Sequence, residues 1–298
     1  MYKDYQPKIE PRRVIEKTLD SSFYWVAKTF ALAIAGVLIW ITIQVALKAM
    51  PAMQEFGLGF ITSSSWNPVT SQYGVWPAIY GTIVSSFIAL LISVPIGIGV
   101  AIFLSEDYLP VPIQRIIVFL VELLAAIPSV VYGLWGIFVL IPFLKEISPL
   151  KGPGMLPAAL ILSVMILPTI AAIGRDAIAS VDQGMRQAAV GLGATRWEAI
   201  LQIILPAASS GIIGGIMLAL GRALGETMAV TMLIGNSNKV DPSVFAPSNT
   251  VSSLLANQFA EASGLQVAAL MYAALILFFI TLVVNVLAQL LVTRLQRI

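Results

Sequence analysis

Six apolar stretches constrain this chain more than anything else in it. They lie near residues 26–48, 77–104, 115–143, 155–174, 207–235 and 266–292. Each reaches the length of about 20 residues that an α-helix needs to cross the hydrocarbon core of a bilayer. Backbone N–H and C=O groups find no water there, so a segment that enters must satisfy them internally, as a helix does. The expected fold is therefore an all-α integral membrane protein with six transmembrane helices. Composition agrees: 58% of the 298 residues are hydrophobic and 11% are charged, against about 25% charged in soluble domains. The second, third, fifth and sixth stretches exceed the minimum, so tilt, kinks or extension beyond the lipid are expected. Pro128 and Pro168 fall inside the third and fourth. Each removes a backbone donor and frees a carbonyl, so these two helices are expected to face other helices.

Two residue types are missing altogether. With no Cys the chain has no disulfide and no thiolate metal site. With no His it lacks the commonest catalytic base, proton shuttle and zinc ligand. An enzyme is not expected, nor a metal or cofactor on this chain, nor a nucleic-acid partner. Residues 1–24 are polar and mixed in charge, and the apolar run after them is too long for a signal peptide's core of about 7–15 residues. They are read as a cytoplasmic tail, followed by a transmembrane domain over 25–298. Orientation follows from the basic residues of short loops. With the N-terminus inside, Lys3, Lys8, Arg12, Arg13, Lys17, Lys28, Arg115, Arg175, Arg186, Arg196, Arg294 and Arg297 are cytoplasmic. Only Lys48, Lys145, Lys151 and Lys239 lie outside. Both termini are thus expected in the cytoplasm.

Two external segments are long. Residues 49–76 contain "SSSWNPVTSQYGVW", whose Trp66, Tyr73 and Trp76 suit the membrane interface. Residues 236–265 contain "NTVSSLLANQFAEA". There Val251, Leu254, Leu255 and Phe259 share one helical face behind Asn249 or Thr250 as N-cap. That helix is expected to lie on the membrane or to offer a docking surface to an external partner.

The cytoplasmic loop 175–206 carries two helix-start patterns. Ser180-x-x-Gln183 fits a capping box, and Thr195-x-x-Glu198 fits a second one after Gly193 at a helix C′ position. Pro206 then marks the start of the next span. A helix–turn–helix knob is expected, with Asp182, Arg186, Gln187, Arg196 and Glu198 among its polar residues. No Gly-x-x-x-x-Gly-Lys-[Ser/Thr] occurs, so the chain has no P-loop of its own.

The fifth stretch contains "GRALGET", with Arg222 and Glu226 four residues apart, on one face if the helix is continuous. Glu122, in "LVELLAAIP", adds a third charge within an apolar stretch. Such a charge at mid-span costs about 2.5–3.5 kcal/mol on insertion scales, so a partner or a purpose is required. Two readings stay open. Arg222 pairs with Glu226 or Glu122 and locks the bundle, or it lines the route of an anion, which its planar donors match. The same stretch holds Gly211 and Gly215, then Gly221 and Gly225, pairs that permit close helix contact.

The loop sequence "QAAVGLGATRWEAILQIILP" resembles the signature of ABC importer permeases. Its Gln187-Ala188-Ala189, Gly193, Ile203, Leu205 and Pro206 stand at the family's spacing, with Gln187 where the signature has Glu. "WNPVTSQYG", "IYGTIVSS", "ELLAAIPSVVYGLWG", "MILPTIAAI" and "GRALGETMAVTMLIGN" resemble the C-type permease subunits of bacterial phosphate-specific ABC transporters, from about residue 57 to the last span. The resemblance implies a type I importer permease fold in the bacterial inner membrane, surrounded by membrane lipid. It implies a homologous second permease subunit as partner, two cytoplasmic ATPase subunits that hold ATP and Mg, and an external phosphate-binding protein. Docking of the ATPase is carried onto Gln187, Ala188, Ala189, Gly193, Thr195, Arg196 and Glu198, and phosphate passage onto Arg222 and Glu226. Glu122 joins them on its expected burial. The alternatives are another oxyanion, such as molybdate or sulfate, and an ion-coupled secondary transporter.

Overall fold

A computed structural model describes residues 14–106 and 108–295 of the chain; Lys3, Lys8, Arg12, Arg13 and Arg297 lie outside the described residues. In order, α1 (Val14–Phe56) and a single turn, α2 (Gly59–Thr62), precede a two-residue ribbon, β1 (Trp66–Asn67) and β2 (Gln72–Tyr73). Then come α3 (Trp76–Ser105), α4 (Val111–Ala126), α5 (Ser129–Trp135), α6 (Ile141–Ile147) and α7 (Met155–Ala179). The remainder is α8 (Gln183–Gly191), α9 (Arg196–Ala199), α10 (Leu205–Gly225), α11 (Met228–Leu233), α12 (Val251–Gln258) and α13 (Leu265–Leu295). Among the described residues six helical runs are long and apolar enough to span a membrane: 21–56, 76–105, 129–147, 155–179, 196–225 and 265–290. The chain divides into two units at Leu47/Lys48. In the first, helix α1 begins upstream of the expected 24/25 boundary, and its apolar side chains from Phe23 to Ile43 are exposed, as lipid or another subunit would require.

The second unit is built around α7. Its buried residues include Ala158, Ile161, Leu162, Met165, Ile166 and Ile170, and they pack with Ala89, Ala219, Ala223, Ala229 and Leu233 from α3, α10 and α11. The expected helix-facing role of the Pro168 helix is observed. Small residues set the distances. A Cβ on Gly211 would lie 2.5 Å from the Ala177 Cβ, and one on Gly215 would lie 3.0 Å from the Ile173 Cβ, so this pair packs against α7. Gly221 and Gly225 meet nothing within 4 Å, so the second small-residue pair makes no such contact among the described residues.

The third span differs from expectation. Pro128 does not kink a helix there; it separates two. The residue before a proline is pushed out of the helical region, and Ile127 is extended (φ −65°, ψ 128°), as is Pro128 (φ −60°, ψ 139°). Helix α4 therefore stands apart as a mostly exposed helix, and the span starts at Ser129. The Tyr132 hydroxyl closes the break by donating to the Leu124 carbonyl at 2.8 Å. Two other prolines act more gently. Pro142 and Pro206 each follow a five-residue π-helical turn, Gly136–Leu140 and Ile200–Ile204, closed by Ile141 N–H to Gly136 O and Leu205 N–H to Ile200 O. A proline ring clashes with the carbonyl four residues back. Widening the turn moves that carbonyl aside and keeps the helix continuous.

The external segments are more embedded than expected. Tyr73 is buried against Phe56 and Trp66, with ring centroids 5.9 and 5.0 Å away. Thr250 is the N-cap of α12 and forms a capping box with Ser253. Val251 and Leu254 are buried with Tyr272 and Ala273 of α13, so most of that face turns into the protein, not onto lipid. Phe259 stays exposed. The Val251 N–H donates to the Thr82 hydroxyl at 3.0 Å, which ties this segment to α3. Gly81 makes the approach possible, since a Cβ there would lie 1.9 Å from the Asn249 carbonyl oxygen. Gly81→Ala is expected to destabilise the protein by about 1–3 kcal/mol, as overpacking does, and to lower its melting temperature in detergent. Gly99→Ala, on the same helix with nothing within 4 Å, is expected to leave it unchanged.

Candidate functional site

Arg222 lies in the last turn of α10, and the helix ends three residues later. Glu226 is extended (φ −64°, ψ 126°), and α11 restarts at Met228. Of the two readings left open, the pairing of Arg222 with Glu226 one turn away is not made among the described residues, because the turn that would align them is unwound. Each charge is compensated by a helix end instead. Arg222 sits at the negative end of the α10 dipole. A Glu226 carboxylate oxygen accepts the Ala229 N–H at the start of α11, at 3.3 Å. The Thr227 hydroxyl donates to the Gly225 carbonyl at 3.1 Å and covers one of the groups the break exposes.

Glu122 is also placed differently. It is on α4, its side chain about half exposed, and its carboxylate lies 3.5 Å from Arg175 near the end of α7. Arg175 also holds Asp176 at 2.8 Å. Glu122 is therefore no partner of Arg222. The break at Pro128 removed it from the expected span, a tertiary consequence that spacing does not reveal. Among the described residues Arg222 has no ion pair or hydrogen bond. It lines a cavity of about 510 Å³ together with Thr169, Met217, Leu218, Gly221 and Asn285. Thr169 and Asn285 were not anticipated; the signal available was an amide in the apolar run "TLVVNVLAQLL" and a hydroxyl beside Pro168.

The knob is local chemistry. Asp182, not Ser180, caps α8, its carboxylate accepting the Gly184 N–H; the Ser180 hydroxyl instead donates to Ala177 O at the end of α7. Gly193 has φ +86°, a left-handed conformation suited to glycine. Its N–H bonds Val190 O at 3.0 Å, and Ala194 N–H bonds Ala189 O at 3.1 Å, the paired bonds of a Schellman turn. Thr195 and Glu198 form the expected capping box of α9. Gln187, Ala188 and Arg196 are exposed and Ala189 is buried. Met185, Val190, Leu192 and Trp197 are exposed as well, Leu192 at 90%, so the knob tip is apolar. Arg186 does not face outward: it bonds the Glu106 carboxylate at the end of α3 and donates to the Ile178 carbonyl at 2.6 Å. The knob is thereby fastened to α3 as well as to α10.

With this geometry in hand, comparison with known proteins is decisive. Residues 93–297 match the family described as binding-protein-dependent transport system inner membrane component. The chain belongs to that family. This inner membrane component is 43% identical to the phosphate transport system permease protein PstC of Mesorhizobium japonicum, over 93% of this chain and 91% of that protein. It is 41% identical to the protein of the same name from Haemophilus influenzae, over 94% and 95%. Among solved structures, a bacterial alginate ABC transporter in complex with its alginate-bound periplasmic protein shares the fold. It has a TM-score of 0.64 at 19% identity, over 93% of this chain and 97% of that one. The inner membrane component is thus an all-α, six-span ABC importer permease.

The knob's second cap carries a pH dependence. The Glu198 carboxylate accepts from the Thr195 N–H at 2.8 Å and the Thr195 hydroxyl at 2.7 Å. These bonds, the backbone one first, hold its carboxyl below the usual glutamate value. A depressed carboxylate contributes stability above the unfolded value, and that contribution is lost as pH falls through the lower folded value. Amide protection of residues 198–199, followed by hydrogen exchange and corrected for intrinsic rate, is expected to hold at neutral pH. It should drop as pH falls below the ordinary value of about 4.3. Glu198→Gln is expected to show reduced protection already at pH 7.

Proposed function

We propose that this chain is one of two permease subunits of an ATP-driven importer of inorganic phosphate. The reading is carried by Arg222, a permanent cation in a transmembrane segment that opens on a cavity between spans and makes no hydrogen bond or ion pair among the described residues. Arg donors match the oxygens of a tetrahedral oxyanion. Its relatives' naming as phosphate permeases supports the choice of anion. The chain does no covalent chemistry in this reading; it supplies the path.

Both termini face the cytoplasm, with the knob on that side. A homologous permease completes the path, and two ATPase subunits, which bind ATP and Mg, receive the knobs of the pair. The apolar tip at Val190, Leu192 and Trp197 is what a complementary groove on the ATPase would cover. An external phosphate-binding protein delivers the anion on the opposite face. ATP-driven closure pulls the knobs together and turns α10 and α3, to which each knob is attached, and phosphate enters the opened path. Hydrolysis returns the path to the cytoplasmic side. A single cation, already partly compensated by a helix end, holds the anion weakly enough to release it. Glu226, bonded to its own backbone, fixes the helix break next to Arg222; Glu122 and Arg175 belong to the cytoplasmic rim.

Arg222→Gln is expected to abolish phosphate uptake by cells while the subunits still copurify. Failure to assemble would favour a structural role, and uptake at the wild-type rate would refute the path. Phosphate uptake unaffected by deletion of the chain, with loss of sulfate or molybdate uptake, would reassign the anion. Gly193→Leu places a side chain at φ +86°, which costs about 1–2 kcal/mol of backbone strain. It is expected to uncouple ATP hydrolysis from transport in reconstituted vesicles, read as a rise in ATP consumed per phosphate moved.

A further inference from the structure

Three spans contribute one polar side chain each to the Arg222 cavity: Thr169 from α7, Arg222 from α10 and Asn285 from α13. All three are partly buried, and among the described residues none has a hydrogen-bond or ion-pair partner. Ser86 and Ser93 of α3 also lack a hydrogen bond, but both are fully buried and neither lines the cavity. Hydroxyls on transmembrane helices commonly turn back onto the carbonyl four residues earlier. Thr82 does so to Ala78 O at 2.7 Å, Ser85 to Gly81 O at 2.6 Å, and Thr231 to Thr227 O at 2.7 Å. Thr281, one turn before Asn285 on α13, does the same to Leu277 O. Thr169 keeps its hydroxyl free although it stands near the middle of α7.

Asn285 is equally exposed to the problem. Its amide interrupts a run of Leu and Val, and a polar side chain without a partner is penalised in hydrocarbon. Three unpartnered polar groups converging on one void need a common partner rich in acceptor oxygens. Arg offers donors only, while the Thr hydroxyl and the Asn amide each offer a donor. The rest of the lining, Met217, Leu218 and Gly221, adds no competing charge. The volume of about 510 Å³ leaves room for a tetrahedral anion and several waters at about 30 Å³ each.

From this convergence we infer that Thr169 and Asn285 complete, with Arg222, an oxyanion-binding station within the membrane. The hydroxyl and the amide supply neutral donors to the oxygens that the guanidinium leaves unfilled. Neutral donors orient the anion without deepening the electrostatic well, so the anion is recognised and still leaves. The inference rests on the phosphate path proposed above and names the residues that shape it.

The test uses the whole complex with its binding protein, reconstituted in proteoliposomes with radiolabelled phosphate. Thr169→Val and Asn285→Leu, which keep shape and remove the polar atoms, are expected each to lower the uptake rate about tenfold, the scale of a hydrogen bond to a charged group. Thr169→Ser, which retains the hydroxyl, is expected to restore uptake to within about twofold of wild type. All three variants are expected to copurify with their partner subunits at wild-type yield. Wild-type uptake by Thr169→Val and Asn285→Leu, in preparations where Arg222→Gln has lost it, would overturn the station and leave the path standing. Wild-type uptake by Arg222→Gln would instead overturn the path itself. Loss of copurification in Thr169→Val and Asn285→Leu would assign both side chains to packing between subunits, and would equally overturn the inference.

Discussion

A peptide group inside a bilayer has no water to bond, and everything else in this structure accommodates that constraint. The six spans meet it by being helical. The chain departs from it at Gly225–Thr227, where α10 stops and α11 restarts. Broken backbone within hydrocarbon is tolerated only where it is buried in protein or borders a cavity. Here the break is patched from within: Thr227 covers the Gly225 carbonyl, and Glu226 accepts the Ala229 N–H. Arg222 then lies against the negative end of a helix, with its guanidinium available to the cavity. Had α10 continued through Glu226, the two charges would have faced each other one turn apart and cancelled.

The same unbroken helix links that site to the knob. From Arg196 to Gly225 the chain is helical for 30 residues, a rod of about 45 Å. The π-turn before Pro206 lets it stay a rod where an α-helical turn would have clashed. Arg186, gripping Glu106, attaches the knob to α3 as well. The exposed apolar tip is therefore joined to both α10 and α3, and α7 packs closely on each, with Ala177 and Ile173 facing Gly211 and Gly215 of α10 and Ile170 facing Gly97 of α3. Charge placement and knob attachment thus use the same elements.

The sequence by itself determined whatever depends on a few neighbouring residues. It set the number of spans, the Gly193 turn and the Thr195–Glu198 cap, and narrowed the α12 cap to Asn249 or Thr250, because helix entry and exit are largely settled by groups within about five residues of one another. It also made Arg222 conspicuous, since a cation in an apolar run needs no structure to be noticed. Tertiary structure decided what depends on chain segments far apart. Pro128 was legible as a disruption, but whether it kinked a span or ended a separate helix depended on where α4 could pack, and that choice sent Glu122 to Arg175. The embedding of α12 followed from space left by Gly81 on a distant helix, and that of Tyr73 from its packing on Phe56 and Trp66. Thr169, Arg222 and Asn285 lie on three different spans, and only the packing of α7, α10 and α13 brings them to one cavity. Interactions across such separations are fixed by how helices fill space, and no local pattern along the chain encodes which faces will meet.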